Sequence, residues 1–288
     1  MREYTYAWNP IDYDDESKPT LKITKSSFGS FQWCPQKYFF QYPLRMPIDQ
    51  SPAMAKGSII HNSQEDFFNA FDIKKAEDMS SSEVKSYCMS LFPVDDHIDM
   101  YDTMATTATQ RFLEAREEGR LSEYLPPGNE VMLDAEIVIQ PDWNPKAELS
   151  RPYRVHIQGI IDRIFEEDGF YIPMELKTGP WKDYKRTMMR KEMAFYKLLF
   201  DNSSPDILRE NGLNPEYEMK YWGWYYPASN YTYVEESKKS SHTAVLRGLV
   251  ELVAAYEKDD FYAKYYFKTC SNCSFYGICE KAQEESWM

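Results

Sequence analysis

The run GIIDRIFEEDGFYIPMELKTG, residues 159–179, decides how this chain is read. Its two halves are rich in β-branched and aromatic residues, and Glu166-Glu167-Asp168-Gly169 stands between them. An Asp-Gly pair between two such runs signals a β-hairpin. Side chains at i and i+2 share one face of a strand, so Phe170, Ile172, Met174 and Leu176 form an apolar row. Tyr171, Pro173, Glu175 and Lys177 form the other row. Asp162 sits in mid-strand in the first half, after Gly159, Ile160 and Ile161. A carboxylate in that setting needs a partner or a metal, because burying it bare is costly. Pro173 removes a ladder donor, so a bulge or an unpaired edge is expected beside it.

Working outward, VMLDAEIVIQ (131–140) and YRVHIQGIIDRIF (153–165) read as strands upstream, and EMKYWGWYYP (218–227) and YTYVEE (231–236) as strands downstream. Residues 186–201 carry Met189, Met193, Tyr196, Lys197 and Phe200 at helical spacing. A further helix is expected from about Thr243 to Glu257. Near the start, an extended lead-in of about twenty residues precedes a short helix carrying Phe28, Phe31, Cys34 and Phe39. Ser26 or Ser27 would cap it, and Pro43 and Pro47 end it. A second helix begins near Ala53 and runs through His61, Phe67 and Phe68. Residues 80–120 read as an acidic helical insertion broken at Pro93. The economical architecture is one α/β domain, a central mixed β-sheet flanked by helices. Its helical N-terminal part and insertion span about 24–125, its core about 130–236, and its C-terminal helix and Cys-rich tail about 240–288.

An apolar fraction of 43% over 288 residues supplies a substantial core and argues against general disorder. The start MREYTYAWNPIDYDDES lacks the apolar segment of a signal peptide, and no window reaches the length of a spanning helix. A soluble, cytoplasmic protein without a membrane partner is expected. The net charge of −13 counts against nucleic acid as a partner. A substrate meets a local field, however. From residue 177 to 191 the chain places Lys177, Lys182, Lys185, Arg186, Arg190 and Lys191 against Asp183 alone. Trp181 and Tyr184 add aromatic rings to this basic segment, a mixture that suits single-stranded DNA.

Two carboxylates and an ammonium converging from paired strands match the needs of phosphodiester hydrolysis. Hard oxygens hold Mg²⁺ or Mn²⁺, the ion activates water and neutralises phosphate charge, and a lysine stabilises the developing anion. An isolated Glu-x-Lys is more often a cross-strand ion pair without chemistry. The mid-strand Asp162 and the Thr178-Gly179 turn distinguish this one. The segment resembles the core of the PD-(D/E)XK nucleases, in particular their RecB-like exonuclease branch. SSFGSFQWCPQKYFFQY resembles that branch's N-terminal helix, and GSIIHNSQEDFF the helix that supplies a metal-binding histidine. The resemblance implies a restriction-endonuclease-like fold and a metal-dependent DNA exonuclease acting on single strands or ends. Asp162, Glu175 and Lys177 would be its catalytic residues, and His61, Asp162 and Glu175 its metal ligands. Lys182, Lys185, Arg186, Arg190, Lys191, Glu192 and Tyr196 would face DNA. Glu192 stands where the branch carries glutamine, and a glutamate cannot donate an amide. Nucleases of this type work with helicase, recombination or CRISPR partner proteins.

Of the five cysteines, Cys270-x₂-Cys273-x₅-Cys279 crowd into the tail, and Cys34 is the natural fourth. Disulfides are disfavoured without a secretory signal. Spacing alone leaves structural zinc and an iron–sulfur cluster open. The same one-plus-three pattern flanks the nuclease core in AddB-type and CRISPR-associated exonucleases, and that resemblance implies a structural [4Fe–4S] cluster. Cys88 matches no motif spacing and reads as a buried small hydrophobe. Two other readings remain: a catalytically silent DNA-end-binding module of the same fold, and a zinc-stabilised interaction domain with a coincidental carboxylate pair.

Overall fold

A computed structural model of the chain describes residues 21–48 and 50–285, and the expected lead-in over the first twenty lies outside them. In chain order the elements begin with β1 (Leu21–Thr24), α1 (Lys25–Trp33), α2 (Pro35–Gln41), α3 (Pro52–Ala70), α4 (Ile73–Ala76), α5 (Ser81–Ser90) and α6 (Ile98–Glu117). Strands β2 (Gly128–Ile139), β3 (Tyr153–Glu167) and β4 (Phe170–Leu176) follow. Then come α7 (Arg186–Asn202), α8 (Pro205–Glu210), β5 (Tyr221–Tyr226), β6 (Tyr231–Glu236), α9 (Lys239–Glu257), α10 (Phe267–Cys270) and α11 (Glu280–Glu285). The strands hydrogen-bond in the order β1-β3-β4-β5-β6, with β2 also on β3. Pairing is parallel for β1–β3 and β4–β5 and antiparallel for β3–β4 and β5–β6. This is the mixed, helix-flanked sheet that the sequence predicts.

Two residues join β3 to β4, Asp168 at φ 51° and Gly169 at φ 75°. Consecutive left-handed residues make a type I′ turn, whose twist matches that of the strands it connects. The turn sets the register: Glu167 pairs with Phe170 and Arg163 with Met174. One further step along that ladder brings Asp162 opposite Glu175. Pro173 pairs regularly with Ile164 on β3. On its other side Phe170 bridges Glu218 and Met174 pairs with Gly223, so four steps of β4 face five of the approach to β5. The irregularity expected at Pro173 is therefore a one-residue bulge in the facing segment.

The chain divides into two compact units. The first comprises the described parts of Met1–Gln50, then Asp134–Gly159 and the described parts of Lys239–Met288. In it β1 lies parallel to β3, with Leu21 opposite Val155 and Ile23 opposite Ile157, all four buried. The strand LKIT is too short for the sequence pattern to reveal. It also corrects the expected cap of α1, which is Thr24 rather than Ser26 or Ser27. Thr24 Oγ1 accepts the Ser27 amide at 3.1 Å, while Ser27 Oγ accepts the Thr24 amide at 2.9 Å. An N-cap needs extended backbone, and the end of a strand supplies it. The helix expected to run unbroken from Phe28 to Phe39 is interrupted at Cys34, which is extended at φ −157°. Pro35 explains this, since proline disfavours helical backbone in the residue before it. Helix α9 starts at Lys239, earlier than expected. Its Gly248 allows close approach of α1: a Cβ there would lie 2.7 Å from Gln32 Nε2 and 2.9 Å from the Phe28 ring.

The second unit comprises Ser51–Leu133 and Ile160–Lys238. Helices α3, α5 and α6 supply Phe67, Phe68, Val84, Tyr101 and Phe112 to a core closed by Ile172, Met174 and Leu176 of β4. Cys88 is fully buried there, as its lack of motif spacing suggests. Met189, Met193, Tyr196 and Phe200 of α7 are buried too, and Phe200 meets the Tyr171 ring edge-on at 5.8 Å. Both faces of β4 are thus covered. No helix among the described residues is long and apolar enough to cross a membrane.

Candidate active site

All the residues of this site belong to the second unit. Asp162, only 8% exposed, accepts the Leu176 amide at 2.7 Å on Oδ2. That bond fixes the carboxylate against β4. His61 comes from α3, whose start is set by Pro52 and by Ser51, the side chain of which accepts the Met54 amide. Its Nδ1 lies 3.6 Å from Asp162 Oδ2. Glu130 completes the group, and one ligand atom from each of His61, Glu130 and Asp162 lies within 4.8 Å of the others. Among the described residues this is the one set of three or more such side chains so close together. Two hard oxygens with one imidazole suit a divalent ion of the Mg²⁺ or Mn²⁺ type.

Glu130 was not singled out by sequence reasoning. It opens β2 in the left-handed conformation at φ 48°, just after Gly128-Asn129. An acidic residue at a strand mouth usually marks solvation. No signal in the sequence marks it, since its left-handed backbone is a property of the folded chain.

Glu175, 3% exposed, is held on both oxygens. Oε1 accepts from Lys177 Nζ at 2.6 Å, and Oε2 lies 2.9 Å from the Tyr196 hydroxyl. Lys177 also pairs with Glu192 at 2.9 Å. Burial lowers the Lys177 ammonium, but the two carboxylates outweigh burial and hold it above its usual range. Burial, then Glu175, Asp162 and Glu192, push the Tyr196 phenol far up, so it stays a proton donor.

The DNA-facing set is only partly at the surface. Tyr196 has no exposed area, and its hydroxyl lies between Glu175 and the Ile160 carbonyl at 2.7 Å. It supports a carboxylate instead of meeting a ligand. Glu192 is turned to Lys177. Arg190 forms two bonds of 2.6 Å with Glu235, so its charge is already matched. Lys182 is exposed and Lys191 half-buried. Lys185 donates to the Pro180 carbonyl, and burial followed by the ammonium groups of Lys182 and Lys177 pulls it down. Arg186 lies 3.5 Å from Asp183 and over the Tyr233 ring. Trp181 packs flat on Tyr231 at 4.6 Å, whereas Tyr184 is 80% exposed.

In the first unit Cys34, Cys270, Cys273 and Cys279 line one small cavity with Lys37 and Lys264. All four are free thiols and half-buried. Burial raises Cys279, and the other three cysteines add to the effect, which marks them as its electrostatic neighbours.

A family model describing the PD-(D/E)XK nuclease superfamily matches residues 22–280. The chain belongs to the PD-(D/E)XK nuclease superfamily. Its helix-flanked mixed sheet is the restriction-endonuclease-like fold of that superfamily, whose nucleases use divalent metal ions. No curated protein matches the chain. Among solved structures it is similar to one titled "Crystal structure of SSO0001", at 13% identity and a TM-score of 0.39, over 94% of this chain and 91% of that one.

Proposed function

We propose that this PD-(D/E)XK protein is a DNA exonuclease acting on single strands or ends, with His61, Glu130 and Asp162 as ligands of a Mg²⁺ or Mn²⁺ ion. The observation that carries the reading is that Asp162 accepts the amide of Leu176, the residue between Glu175 and Lys177 on the chain. A bound divalent ion would supply water activation and charge neutralisation at the scissile phosphate. The chain's own side chains do the rest. Asp162 is fixed by the Leu176 amide and so keeps one orientation. Lys177 stays protonated, and its ammonium stabilises negative charge as it grows on phosphate oxygens. Glu175, held by Lys177 and Tyr196, would be a third carboxylate for the ion. The exposed Lys182 and half-buried Lys191, with Lys185 and Arg186, provide the basic approach for a strand.

The four cysteines are read as ligands of a structural [4Fe–4S] cluster. The one-plus-three cysteine pattern is similar to that flanking the nuclease core in AddB-type and CRISPR-associated exonucleases, and that likeness favours the cluster over zinc.

Digestion of end-labelled single- and double-stranded DNA in Mn²⁺ tests the reading. Progressive shortening by the wild type, reduced about 10²- to 10³-fold in Lys177→Ala, is the expected result. Cleavage that survives the substitution would sink the assignment. DNA binding without cleavage by the wild type would make the protein a silent end-binding module.

A further inference from the structure

The first unit brings together two segments whose charge runs against that of the whole chain. Residues 21–48 hold Lys22, Lys25, Lys37 and Arg45, and residues 261–279 hold Lys264 and Lys268. Neither stretch contains an aspartate or a glutamate, although the chain has 46 of them and a net charge of −13. Carboxylates begin again at Asp49, Asp260 and Glu280. The two segments touch. The Gln36 amide donates to the Tyr262 carbonyl at 3.2 Å, and Lys264 Nζ donates to the Gln32 carbonyl at 3.2 Å. Phe39 stacks on Phe261 at 4.9 Å. Among the described residues Lys37, Lys264 and Lys268 form no ion pair.

The same segments carry exposed rings. Trp33 is 41% exposed, Tyr262 53%, Tyr266 75% and Phe267 73%. One exposed apolar side chain is ordinary, whereas several large ones on touching segments mark a surface that meets something. Lysines lie among the rings. Lys37 Nζ is 4.1 Å from the centre of the Trp33 ring, and Lys264 Nζ 5.6 Å from that of Tyr262. Trp33, Lys37 and Lys264 also border one cavity with Tyr265, the neighbour of Tyr266 in the chain. Burial first, then Glu251 and Asp260, raise the Tyr262 phenol, so carboxylates are felt on that side of the surface.

This combination selects its occupant. Ammonium groups without matching carboxylates attract a polyanion. Exposed rings offer stacking faces to unpaired bases, and the mixture of the two suits a single strand. A duplex hides its base faces and would use the lysines alone. We propose that this surface of the first unit binds single-stranded DNA, with Trp33, Tyr262, Tyr266 and Phe267 stacking on bases and Lys37, Lys264 and Lys268 following the phosphates. It shares no residue with the metal group, which belongs to the second unit. The choice of DNA rests on the nuclease reading; the gathering of cations and rings does not.

Fluorescence anisotropy of a labelled oligothymidine with the full chain in EDTA tests binding without cleavage. Tyr266→Ala and Phe267→Ala should each weaken binding roughly tenfold with unchanged circular dichroism. Lys37→Gln combined with Lys268→Gln should reduce the slope of log affinity against log salt by about 1.4, as expected for two phosphate contacts on a single strand. Affinity for a duplex of the same length should change little in the ring variants. Unchanged oligothymidine binding in both ring variants, or equal losses for single strand and duplex, would overturn the proposal. Photo-cross-linking of a strand containing 5-iododeoxyuridine to the wild type needs no variant. Cross-links at Trp33, Tyr262, Tyr266 or Phe267 support the surface, and cross-links confined to residues 177–191 reject it. Sedimentation of the wild type with phosphatidylserine vesicles, without oligothymidine binding, would overturn it in favour of an anionic membrane. Ring-dependent binding in EDTA by a protein that fails to cleave DNA in Mn²⁺ would remove the nuclease reading and leave this surface standing.

Discussion

Lys177 lies between Glu175 and Glu192, and Glu175 in turn lies between Lys177 and Tyr196. Each member of this chain of contacts is oriented by the next, so a change one step from the metal group still reaches it. Tyr196→Phe removes the hydroxyl but keeps the ring that packs in α7. We expect a stability loss of about 1 kcal/mol, the net worth of one buried hydrogen bond. The turnover number should fall roughly tenfold with KM little changed, since Glu175 is freed to turn while the substrate approach is untouched. Steady-state cleavage kinetics check this, and a purely structural tyrosine would leave the turnover number intact. Asp162 and Glu175 were legible in the sequence because a two-residue turn and strand alternation place them opposite one another. Glu130 was not, because nothing local ties the mouth of β2 to the middle of β3.

At the scale of elements, β5 is held by close contact on two sides. A Cβ on Gly223 would lie 2.4 Å from Met174 Sδ and 2.6 Å from the Tyr233 carbonyl oxygen. The thioether can turn away, but the backbone oxygen cannot. Gly223→Ala should therefore cost about 1–3 kcal/mol or more, read as a melting temperature lower by several degrees; an unchanged melting curve would refute the close approach. β6 and α7 are joined by Glu235, which accepts from Arg190, Trp222 Nε1 and, in an ion pair, meets Lys238. Burial raises this carboxylate, yet Arg190, Trp222 and Lys238 outweigh burial and bring it to about 2, against an ordinary 4.5. The folded state thus binds the proton less readily than the unfolded state. Its contribution is complete above about pH 4.5 and is withdrawn as pH falls toward 2. Urea midpoints measured across that window should drop in the wild type and drop less in Glu235→Gln, which is weaker at neutral pH from the outset. Parallel curves for the two proteins would contradict the assignment. The amphipathic spacing of α7 was readable in advance, whereas the pairing of Arg190 with Glu235 consumed a cation that the sequence pattern assigned to DNA.

For the whole molecule, the four cysteines line one cavity between early and late segments of one unit. Cys34 follows α1, while Cys270, Cys273 and Cys279 lie beyond α9, so the proposed cluster would close a very long loop. Protein purified anaerobically should be coloured and contain iron and sulfide. Cys34→Ser should lose the colour and lower thermal stability by about 2–4 kcal/mol, by analogy with a covalent staple. Colourless, zinc-containing protein would reverse that assignment and return the tail to a zinc-stabilised form. The net charge of −13 is compatible with a polyanionic substrate because cations gather in one segment and carboxylates around a metal group.

The sequence by itself determined the β3–β4 hairpin, the opposition of Asp162 and Glu175, the helical period of α7 and the one-plus-three cysteine set. Turn conformation, strand alternation and helical repeat are short-range effects, settled among neighbours in the chain. Tertiary structure decided which distant groups complete them: Glu130 beside His61 and Asp162, Tyr196 on Glu175, and Glu235 on Arg190. Those choices depend on which elements pack together, and packing is settled by the burial of whole faces rather than by any short stretch. The run at residues 159–179 thus supplies half of the site, and the other half reaches it only through the folded chain.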